Sequence, residues 1–449
     1  MPYEGEFAGY QSVRRIVDTE RVKKLLRRSK FFPGQQSKSP GKIEDAPIYA
    51  DGLPEFVLAI DGSYQEVEVK TGYPGAKVGY VTVASVLLNL AELSRLDRQR
   101  PVDPRKFRRT EQASTIDSAL PGSNVITIRQ TDARESFRQE LFDTFHDIIL
   151  DDEKHIRLLT TYETLLQHKP TTKLQSCPYQ ESHGCEQNFS ISAGTSQCPG
   201  CKRVIFSTDA LRIHERFRDV GTNGEAFGLV MQVWERILLI HILRCFEEQK
   251  ILDRMNRIAF FLDGPLALFG PPAWLSAAIS KELKRLNQVV YEKTGNDLLI
   301  LGIEKTGNFV THFEELDRTE TPGQLRFNNR SYMLLTDKYI KERIAYSESD
   351  KRYGEDTYFG RKFFYKTHNG SRIVASLPFL NEQQDTLASD DIGLYPQFPR
   401  ICSLLDKMIS SRYENAVSPL IAAHSHAAIP LHLGGKVLTR LAKALMGNQ

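Results

Sequence analysis

Several features that would place this chain in a specialised class are missing from its sequence. The 449 residues contain no run of about 18 uncharged apolar residues, so no membrane span is expected. The first residues, MPYEGEFAGYQS, lack the apolar core and basic flank of a secretory signal. Six cysteines are too few for a disulfide scaffold at this length. These absences predict a cytoplasmic protein that has no contact with a membrane.

Charge is present but unevenly distributed. The net charge of +3 excludes a polycation, and the apolar fraction of 41% is ordinary for a globular protein with a large core. Residues 12–31 predict a basic amphipathic helix, which with its linker forms a segment of residues 1–50. Such a helix either docks on a partner or on phosphates, or is a peripheral helix with a solvated charged face.

A second basic stretch follows at residues 95–109, where seven basic residues accompany one aromatic residue, Phe107. Two interpretations are equally open, an exposed loop or a strip that holds a nucleic-acid backbone. In the second interpretation the DNA contacts are Arg105, Lys106, Arg108 and Arg109.

Two stretches share one pattern, an apolar strand followed by Asp-Gly. Residues 56–60 run into Asp61-Gly62-Ser63 and open a predicted meander with strands at 65–70 and 77–88; residues 257–262 run into Asp263-Gly264. If the two apolar strands are neighbours, their aspartates face one point and repel each other unless a divalent cation lies between them. The alternative is that each Asp-Gly is an ordinary turn.

One acidic residue lies in the most apolar part of a long helix predicted over residues 224–254. The helical neighbours of Glu235 are apolar, so its carboxylate is costly unless it is paired or binds a metal. The simpler alternative is a salt bridge with Arg236 or Arg257. Near the end of the chain, His424 and His426 lie in another helical stretch, and His424 is as consistent with a structural role as with a site role.

Four of the six cysteines have the spacing of a metal site, with CPYQESHGC at residues 177–185 and CPGC at residues 198–201. Four thiolates supply the tetrahedral ligand set that zinc prefers, and His183 is a possible substitute for one of them. The short strand-like runs between them predict a zinc-ribbon-like module over residues 173–207, in which zinc is structural. The predicted ligands are Cys177, Cys185, Cys198 and Cys201.

Taken in order, these motifs resemble the NurA family of nucleases. The resemblance covers residues 56–429 and consists of strand-Asp61-Gly-Ser, a buried helical glutamate, strand-Asp263-Gly-Pro-Leu, Gly-Ile-Glu-Lys-Thr-Gly and Pro-Leu-x-x-Ala-His424. It implies an α/β fold, an RNase H-like mixed sheet flanked by helices. That nuclease domain would span residues 51–449, interrupted by the zinc-ribbon-like insert.

The resemblance also implies an activity and partners. The implied activity is that of a manganese-dependent DNA nuclease that degrades ends 5′ to 3′ and nicks single strands. The implied assembly is a homodimer that works with a HerA-type hexameric ATPase. Asp61 and Asp263 match the first and third metal carboxylates of the family. Glu235 matches the helical glutamate, with Glu247 as the fallback, and His424 matches the late histidine. The setting would be DNA end processing or defence against phage.

The implied chemistry suits the residue types. Two Mn²⁺ or Mg²⁺ ions held by Asp61, Glu235 and Asp263 would activate a water and relieve charge on the leaving oxygen, while His424 orients or protonates a phosphate oxygen. Two other functions stay open, a non-catalytic DNA-binding adaptor of a translocase and an RNase H-like nuclease that acts on RNA.

Overall fold

The structure is a computed structural model that describes residues 11–29, 41–49, 52–69, 73–94, 111–128, 130–151, 156–170, 174–319, 321, 323–385, 388–410 and 415–429. The chain divides into two compact units, Met1–Pro40 and Gly41–Gln449. The basic strip of residues 95–109 lies outside the described residues. The DNA contacts at Arg105, Lys106, Arg108 and Arg109 therefore stay a prediction.

The first unit contains two short helices, α1 (Gln11–Asp18) and α2 (Glu20–Arg28). Thr19 separates them in an extended conformation, and its hydroxyl donates a hydrogen bond to the carbonyl of Arg15 at 2.6 Å. A hydroxyl that binds a carbonyl of the preceding turn competes with the helix for that acceptor, which favours a break there. The expectation of one continuous helix over residues 12–31 is therefore wrong.

Nine strands form the main mixed sheet of the second unit: β1 (Ile43–Asp45), β2 (Phe56–Glu68), β3 (Lys77–Asn89), β4 (Glu111–Pro121), β11 (Ile258–Asp263), β12 (Leu299–Glu304), β13 (Ser331–Leu334), β14 (Gly360–Lys366) and β15 (Arg372–Pro378). Across the sheet they lie in the order β1, β13, β14, β15, β12, β11, β2, β3, β4. β11 is parallel to both β2 and β12, and the other pairs are antiparallel.

Strand β2 is longer than the sequence indicated. It runs through Asp61-Gly62-Ser63 without a turn, because β3 pairs with it along its whole length, from Phe56↔Asn89 to Glu68↔Lys77. The predicted break after residue 60 and the separate strand at 65–70 are therefore wrong. The third strand of the meander is β4, which pairs with β3. Asp61 consequently lies inside a strand and not at its end.

Helices cover both faces of this sheet. The remaining helices are α3 (Leu90–Ser94), α4 (Ala133–Asp147), α5 (Leu158–Leu166), α6 (Gln180–His183), α7 (Gly224–Glu248), α8 (Leu275–Thr294), α9 (Asn308–Asp317), α10 (Asp337–Arg343), α11 (Phe398–Met408) and α12 (Ser418–Ala427). On one face, here the α7 face, Leu58, Ile60 and Leu262 pack with α4, α5, α7 and α8. On the opposite face, here the α12 face, Val57, Ala59 and Phe261 pack with α11 and α12. The fold is thus α/β, with a large mixed sheet between helical layers.

The helix α7 is the core of the α7 face. It is long and apolar enough to cross a membrane by length and composition, but 72% of its most apolar window is buried inside the protein. Val233, Trp234 and Ile237 of this helix are wholly buried against the sheet and neighbouring helices. A helix that is apolar nearly all round is typical of a buried core helix, and α7 has that position here.

Three two-stranded sheets lie outside the main sheet. They pair β5 (Ile149–Asp151) with β6 (Ile156–Arg157), β7 (Gln175–Ser176) with β8 (Asn188–Phe189), and β9 (Thr195–Gln197) with β10 (Val204–Phe206). The last two of these sheets belong to the cysteine-rich segment. Cys177, Ile191, Cys198 and Ile205 from that segment are buried in the same apolar cluster as α7. The segment therefore packs on the α7 face.

Candidate active site

Asp61 and Asp263 are brought side by side by two parallel strands. β11 pairs with β2 as far as Leu262↔Ile60, and the next residues along the two strands are Asp263 and Asp61. Residues at matching positions of parallel strands point to the same face, and here that is the α12 face, because alternate residues point the same way and Ala59 and Phe261 lie there. Asp61 is 1% exposed. The structure thus brings together the two aspartates that the sequence pattern paired.

A lysine that the sequence analysis did not assign lies between them. Lys305 directly follows β12, and its Nζ is 2.9 Å from Oδ1 of Asp263 and 3.4 Å from Oδ2 of Asp61. Burial favours the neutral amine, but the carboxylates of Asp263 and Asp61 outweigh it and raise the pKa of Lys305. The available signal was the charged pair Glu304-Lys305 after a third apolar run, residues 299–303. A cation is stable at this point.

Glu235 lies on α7, on the opposite face of the sheet from the two aspartates, and its carboxylate interacts electrostatically with both of them. Its side chain lies against Gly62, where an ideal Cβ would be 2.8 Å from Oε1 of Glu235. The backbone amide of Gly62 favours the ionised form of this carboxyl group and so opposes the rise of its pKa. β11 ends at Asp263 whereas β2 continues to Glu68, so the edge of β2 beyond Asp61 is open to a side chain from the helix.

Burial makes these carboxyl groups hard to ionise. It raises the pKa of Glu235 to about 8, opposed by Arg236 and reinforced by Asp61 and Asp263. It also raises the pKa of Asp61 to about 6, reinforced by Asp263 and opposed by Lys305 and His424. Neighbouring carboxylates that raise one another's pKa in a buried place are stabilised by a divalent cation, because its charge favours both ionised forms.

The late histidine comes from α12, which packs across β2 and β3. Nδ1 of His424 is 3.1 Å from Oδ2 of Asp61, which is hydrogen-bond distance. The side chain is nonetheless 59% exposed, so its other nitrogen faces outward from the buried carboxylate. Of the two late histidines, His424 is the one that contacts Asp61. A partly exposed imidazole beside a buried carboxylate can hold or move a proton at the rim of a site.

The donor set fits a hard divalent cation. Asp61, Glu235 and Asp263 offer carboxylate oxygens, the ligands that Mn²⁺ and Mg²⁺ prefer. Oδ1 of Asp263 is buried and accepts no directional hydrogen bond from the described residues, its contact with Lys305 being an ion pair. This oxygen atom has a lone pair available and lies next to the ammonium group of Lys305, so it is suited to bind a metal ion.

A family model, the NurA domain, matches residues 56–429 of the chain. The chain belongs to the NurA family. NurA proteins are nucleases, so the chain is a NurA-family nuclease. The matched residues include all of the site described above: Asp61, Glu235, Asp263, Lys305 and His424.

Three solved structures are similar to the chain over nearly its whole length. The NurA nuclease from Sulfolobus solfataricus is 11% identical, with 98% of this chain and 97% of that chain covered and a TM-score of 0.34. Another NurA structure is 12% identical, with 98% of both chains covered and a TM-score of 0.29. A NurA structure with manganese is 10% identical, with 98% of both chains covered and a TM-score of 0.26. No curated protein matches the chain. These scores describe a distant likeness, and no residue role is transferred from it.

Within this NurA-family chain, the alternative helical ligand does not join the site. Glu247 lies about three turns along α7 from Glu235. Its two carboxylate oxygens accept hydrogen bonds from Nη1 and Nη2 of Arg285 at 2.8 and 2.7 Å. The salt bridge considered for Glu235 is present, since Nη1 of Arg236 is 2.9 Å from its Oε2. Arg257, the other candidate partner, binds Glu55 instead.

Four thiols of the chain gather at one point. The Sγ atoms of Cys177, Cys185, Cys198 and Cys201 all lie within 4.8 Å of one another. The closest pairs are Cys185 with Cys198 at 3.7 Å and Cys177 with Cys201 at 3.9 Å, and none of the four is in a disulfide. Four sulfur atoms at such separations can surround one tetrahedral ion, which fits zinc.

Of these thiols, Cys198 is the one whose backbone surroundings favour the negative sulfur atom, whereas burial raises the pKa of Cys177 and Cys201. Burial disfavours the thiolate of Cys198, but hydrogen bonds from the backbone of Cys201 and Gly200 outweigh it and lower the pKa of Cys198 to about 7. A thiol whose anion is stabilised by amides loses its proton readily to a metal ion. His183 does not join the cluster, because its Nε2 is 3.6 Å from Oε1 of Glu135.

Proposed function

We propose that this NurA-family nuclease hydrolyses phosphodiester bonds of DNA at the site built from Asp61, Glu235 and Asp263. The observation that carries the proposal is the convergence of these three carboxylates. Parallel strands place two of them side by side, and α7 adds the third from the other face at Gly62. A fold gains no stability from burying Asp61 and Glu235, whose pKa values are raised, beside a third carboxylate, which favours a catalytic purpose.

The three carboxylates would hold Mn²⁺ or Mg²⁺, in a two-metal arrangement. Bound there, the metal supplies a water of lowered pKa and relieves charge on the leaving oxygen. The residues of the chain then have separate tasks. Lys305, displaced from between the aspartates, is long enough to hold a phosphate oxygen, and His424 holds a proton at Nδ1 beside Asp61. Asp61 fixes the orientation of that imidazole ring.

We propose an RNase H-like core for the nuclease unit. Three features support it: the antiparallel β2, β3 and β4, the parallel strands β11 and β12 beside β2, and acidic residues within β2 and at the end of β11. Residues 51–449 would form this domain around the insert of residues 173–207, and β1 adds residues 43–45 to the edge of its sheet. The same proposal includes a cytoplasmic location.

The proposed substrate and partners follow the family resemblance. The activity would be 5′ to 3′ degradation of DNA ends together with nicking of single strands, in end processing or defence against phage. The chain would form a homodimer and act with a HerA-type hexameric ATPase. The first unit supports a docking role, because five of its apolar side chains are more than half exposed: Val13, Ile16, Val17, Leu25 and Leu26. The basic residues 105–109 would hold the DNA backbone.

We further propose that Cys177, Cys185, Cys198 and Cys201 bind one structural zinc ion. The four sulfur atoms fit a closed tetrahedral site that leaves no position for substrate. The cysteine site is part of the protein core, because Cys177 and Cys198 are buried in the same apolar cluster as α7. Zinc would therefore stabilise the layer of helices that carries Glu235.

The experiment that tests the proposed function is cleavage of linear DNA labelled at the 5′ or the 3′ end. The purified protein is assayed with Mn²⁺, with Mg²⁺ and without divalent metal, beside the variant Asp61→Ala. A matched control is Asp117→Ala, which removes an exposed carboxylate from β4 of the same sheet. We expect metal-dependent cleavage in the parent and in Asp117→Ala, and none in Asp61→Ala.

The same assay separates the alternatives. Metal-dependent cleavage of RNA but not of DNA would identify a ribonuclease. DNA binding without cleavage of either polymer, also in the presence of the HerA-type ATPase, would identify an adaptor. Cleavage by Asp61→Ala at the parent rate would show that the proposed site is not the catalytic one.

A further inference from the structure

We infer that Arg236 is a positioning residue, whose guanidinium group ties the carboxylate of Glu235 to the chain that follows Asp263 and so sets the spacing of two metal ligands. This inference rests on the proposed function, because the two carboxylates are those assigned there to the metal. Arg236 entered the sequence analysis only as a possible salt-bridge partner of Glu235. The structure gives it contacts beyond that salt bridge.

Arg236 donates hydrogen bonds in two directions. Nη1 donates to Oε2 of Glu235 at 2.9 Å. Nη2 donates to the backbone carbonyl of Asp263 at 2.8 Å and to that of Pro265 at 3.1 Å. The residue is 3% exposed, so water does not compete for these acceptors. One planar group thus joins the helical carboxylate to the end of β11.

The turn after β11 has the shape that this contact requires. Gly264 has a φ of +75°, in the left-handed region that glycine enters without cost. Both carbonyls that flank it, those of Asp263 and Pro265, accept from the same Nη2. An ideal Cβ on Gly264 would lie 3.3 Å from that atom, so a larger residue would press on the guanidinium group. Asp263 thus ends β11, and the chain bends at Gly264, where both flanking carbonyls face Arg236.

The contact between Glu235 and Arg236 is itself unusual. Consecutive residues on a helix point about 100° apart and do not normally face each other. Here Glu235 points toward Gly62 and Arg236 toward the end of β11, yet their charged groups meet. Both side chains must bend into the gap beside β2 beyond Asp61. The carboxylate of Glu235 still has lone pairs for a metal, since each oxygen carries two.

This link matters because Glu235 and Asp263 lie on different elements of the fold. Glu235 belongs to a helix on the α7 face, whereas Asp263 ends a strand and points to the α12 face. A metal site tolerates ligand displacements of only about 0.2 Å. Small movements of α7 relative to the sheet would exceed that range. The guanidinium group of Arg236 connects α7 to the end of β11 directly at the two ligands.

A purely electrostatic role for Arg236 predicts the opposite effect on metal binding. A cation near the site repels Mn²⁺, so if Arg236 only supplied charge, its removal would tighten binding. If it positions the ligands, its removal weakens binding. Lysine keeps the charge but lacks the planar fork that reaches two acceptors at once. The pair Arg236→Gln and Arg236→Lys therefore separates the two roles.

The test measures Mn²⁺ affinity directly, from the spin-resonance signal of free Mn²⁺ titrated with the full-length, zinc-loaded protein in the absence of DNA. We expect both variants to bind Mn²⁺ about 10- to 100-fold more weakly than the parent, as is typical when a residue that orients a ligand is lost. In DNA cleavage at saturating Mn²⁺, kcat should fall while KM for DNA changes little, because Arg236 is buried. The matched control is Arg257→Gln, which breaks an exposed arginine–glutamate pair at the start of β11.

Each outcome decides the inference. Affinity in Arg236→Lys equal to that of the parent, or tighter binding in Arg236→Gln, would overturn it. Circular dichroism and thermal melting establish that the variants are folded, and failure of both to fold would also overturn it, in favour of a purely structural role. The proposed function fails separately, namely when the parent itself neither binds Mn²⁺ nor cleaves DNA.

Discussion

The carboxylate of Glu235 occupies the space that a side chain at Gly62 would fill. An ideal Cβ on Gly62 would be 2.8 Å from Oε1 of Glu235 and 2.7 Å from Cγ of Met231. Because Gly62 has no side chain, it leaves space in the middle of β2. Glu235, from the helix on the α7 face, uses that space to approach Asp61, which points to the α12 face.

Replacing this glycine should disable the site. In Gly62→Ala the methyl group displaces Glu235 and Met231, so we expect loss of metal-dependent DNA cleavage and weaker Mn²⁺ binding. Unfolding free energy should fall by about 1–3 kcal/mol, as is usual for overpacking. Kinetics, Mn²⁺ titration and thermal melting measure the three effects. The control is Gly224→Ala at the start of α7, where the nearest atom is 3.7 Å from the added Cβ. Normal cleavage by Gly62→Ala would contradict a ligand role for Glu235.

The buried carboxyl groups should make the metal-free protein less stable at higher pH. Folding raises the pKa of Glu235 to about 8 and that of Asp61 to about 6. A group with a raised pKa in the folded state stabilises the fold below its unfolded pKa, and that contribution is lost as pH rises through the folded value. Melting temperatures measured without divalent metal should therefore decline between about pH 4 and pH 8.

Glu235→Gln isolates one part of this dependence. The amide does not ionise, so the decline between about pH 6 and pH 8 should be reduced in this variant, while the part due to Asp61 at lower pH remains. Adding Mn²⁺ to the parent should raise its melting temperature most at high pH, because the metal favours the ionised carboxylates. A decline that is the same in Glu235→Gln and in the parent would show that Glu235 does not titrate in this range.

Lys305 should compete with the metal for the aspartates. Its Nζ lies within 3.4 Å of both carboxylates, so Lys305→Met, which keeps the length but removes the charge, should bind Mn²⁺ several-fold more tightly. The spin-resonance titration described for Arg236 measures this change. Lys338→Met serves as the control, since Lys338 is 74% exposed and lies on α10. Unchanged affinity in Lys305→Met would mean that the metal does not take the position of the ammonium group.

The cysteine cluster should contain zinc in the purified protein, at about one ion per chain. Cys198→Ser should lose that zinc and lower the melting temperature, because Cys198 is fully buried with the α7 core. Elemental analysis by mass spectrometry and thermal melting check both expectations. Cys402→Ala is the control, since it removes a buried cysteine on the α12 face and should leave the zinc content unchanged. A zinc-free parent protein would refute the site.

Much of the architecture was accessible from local patterns. Apolar runs followed by Asp-Gly identified β11 and the first part of β2. The order of motifs identified the family, which the domain match confirms. The mixed sheet between helices is likewise confirmed. The cysteine spacing was sufficient to predict that four thiols meet, because the ligands lie within 25 residues of one another.

The remaining features depend on contacts between distant elements. The extended path of Asp61-Gly62-Ser63 follows from pairing with β3, which no local propensity for a turn reveals. Lys305 joins the aspartates because β12 is the strand next to β11. Arg236 meets the end of β11 because of the rotation of α7 about its axis, and neither strand order nor helix rotation is written in a short stretch of sequence.

The site is also assembled from the two ends of the polypeptide. Asp61 and His424 are 363 residues apart in the chain, and α12 must dock before they meet. At a synthesis rate of roughly 5–20 residues per second, tens of seconds separate the appearance of the first residue on the ribosome from that of the second. A nascent or prematurely terminated chain therefore holds an incomplete site.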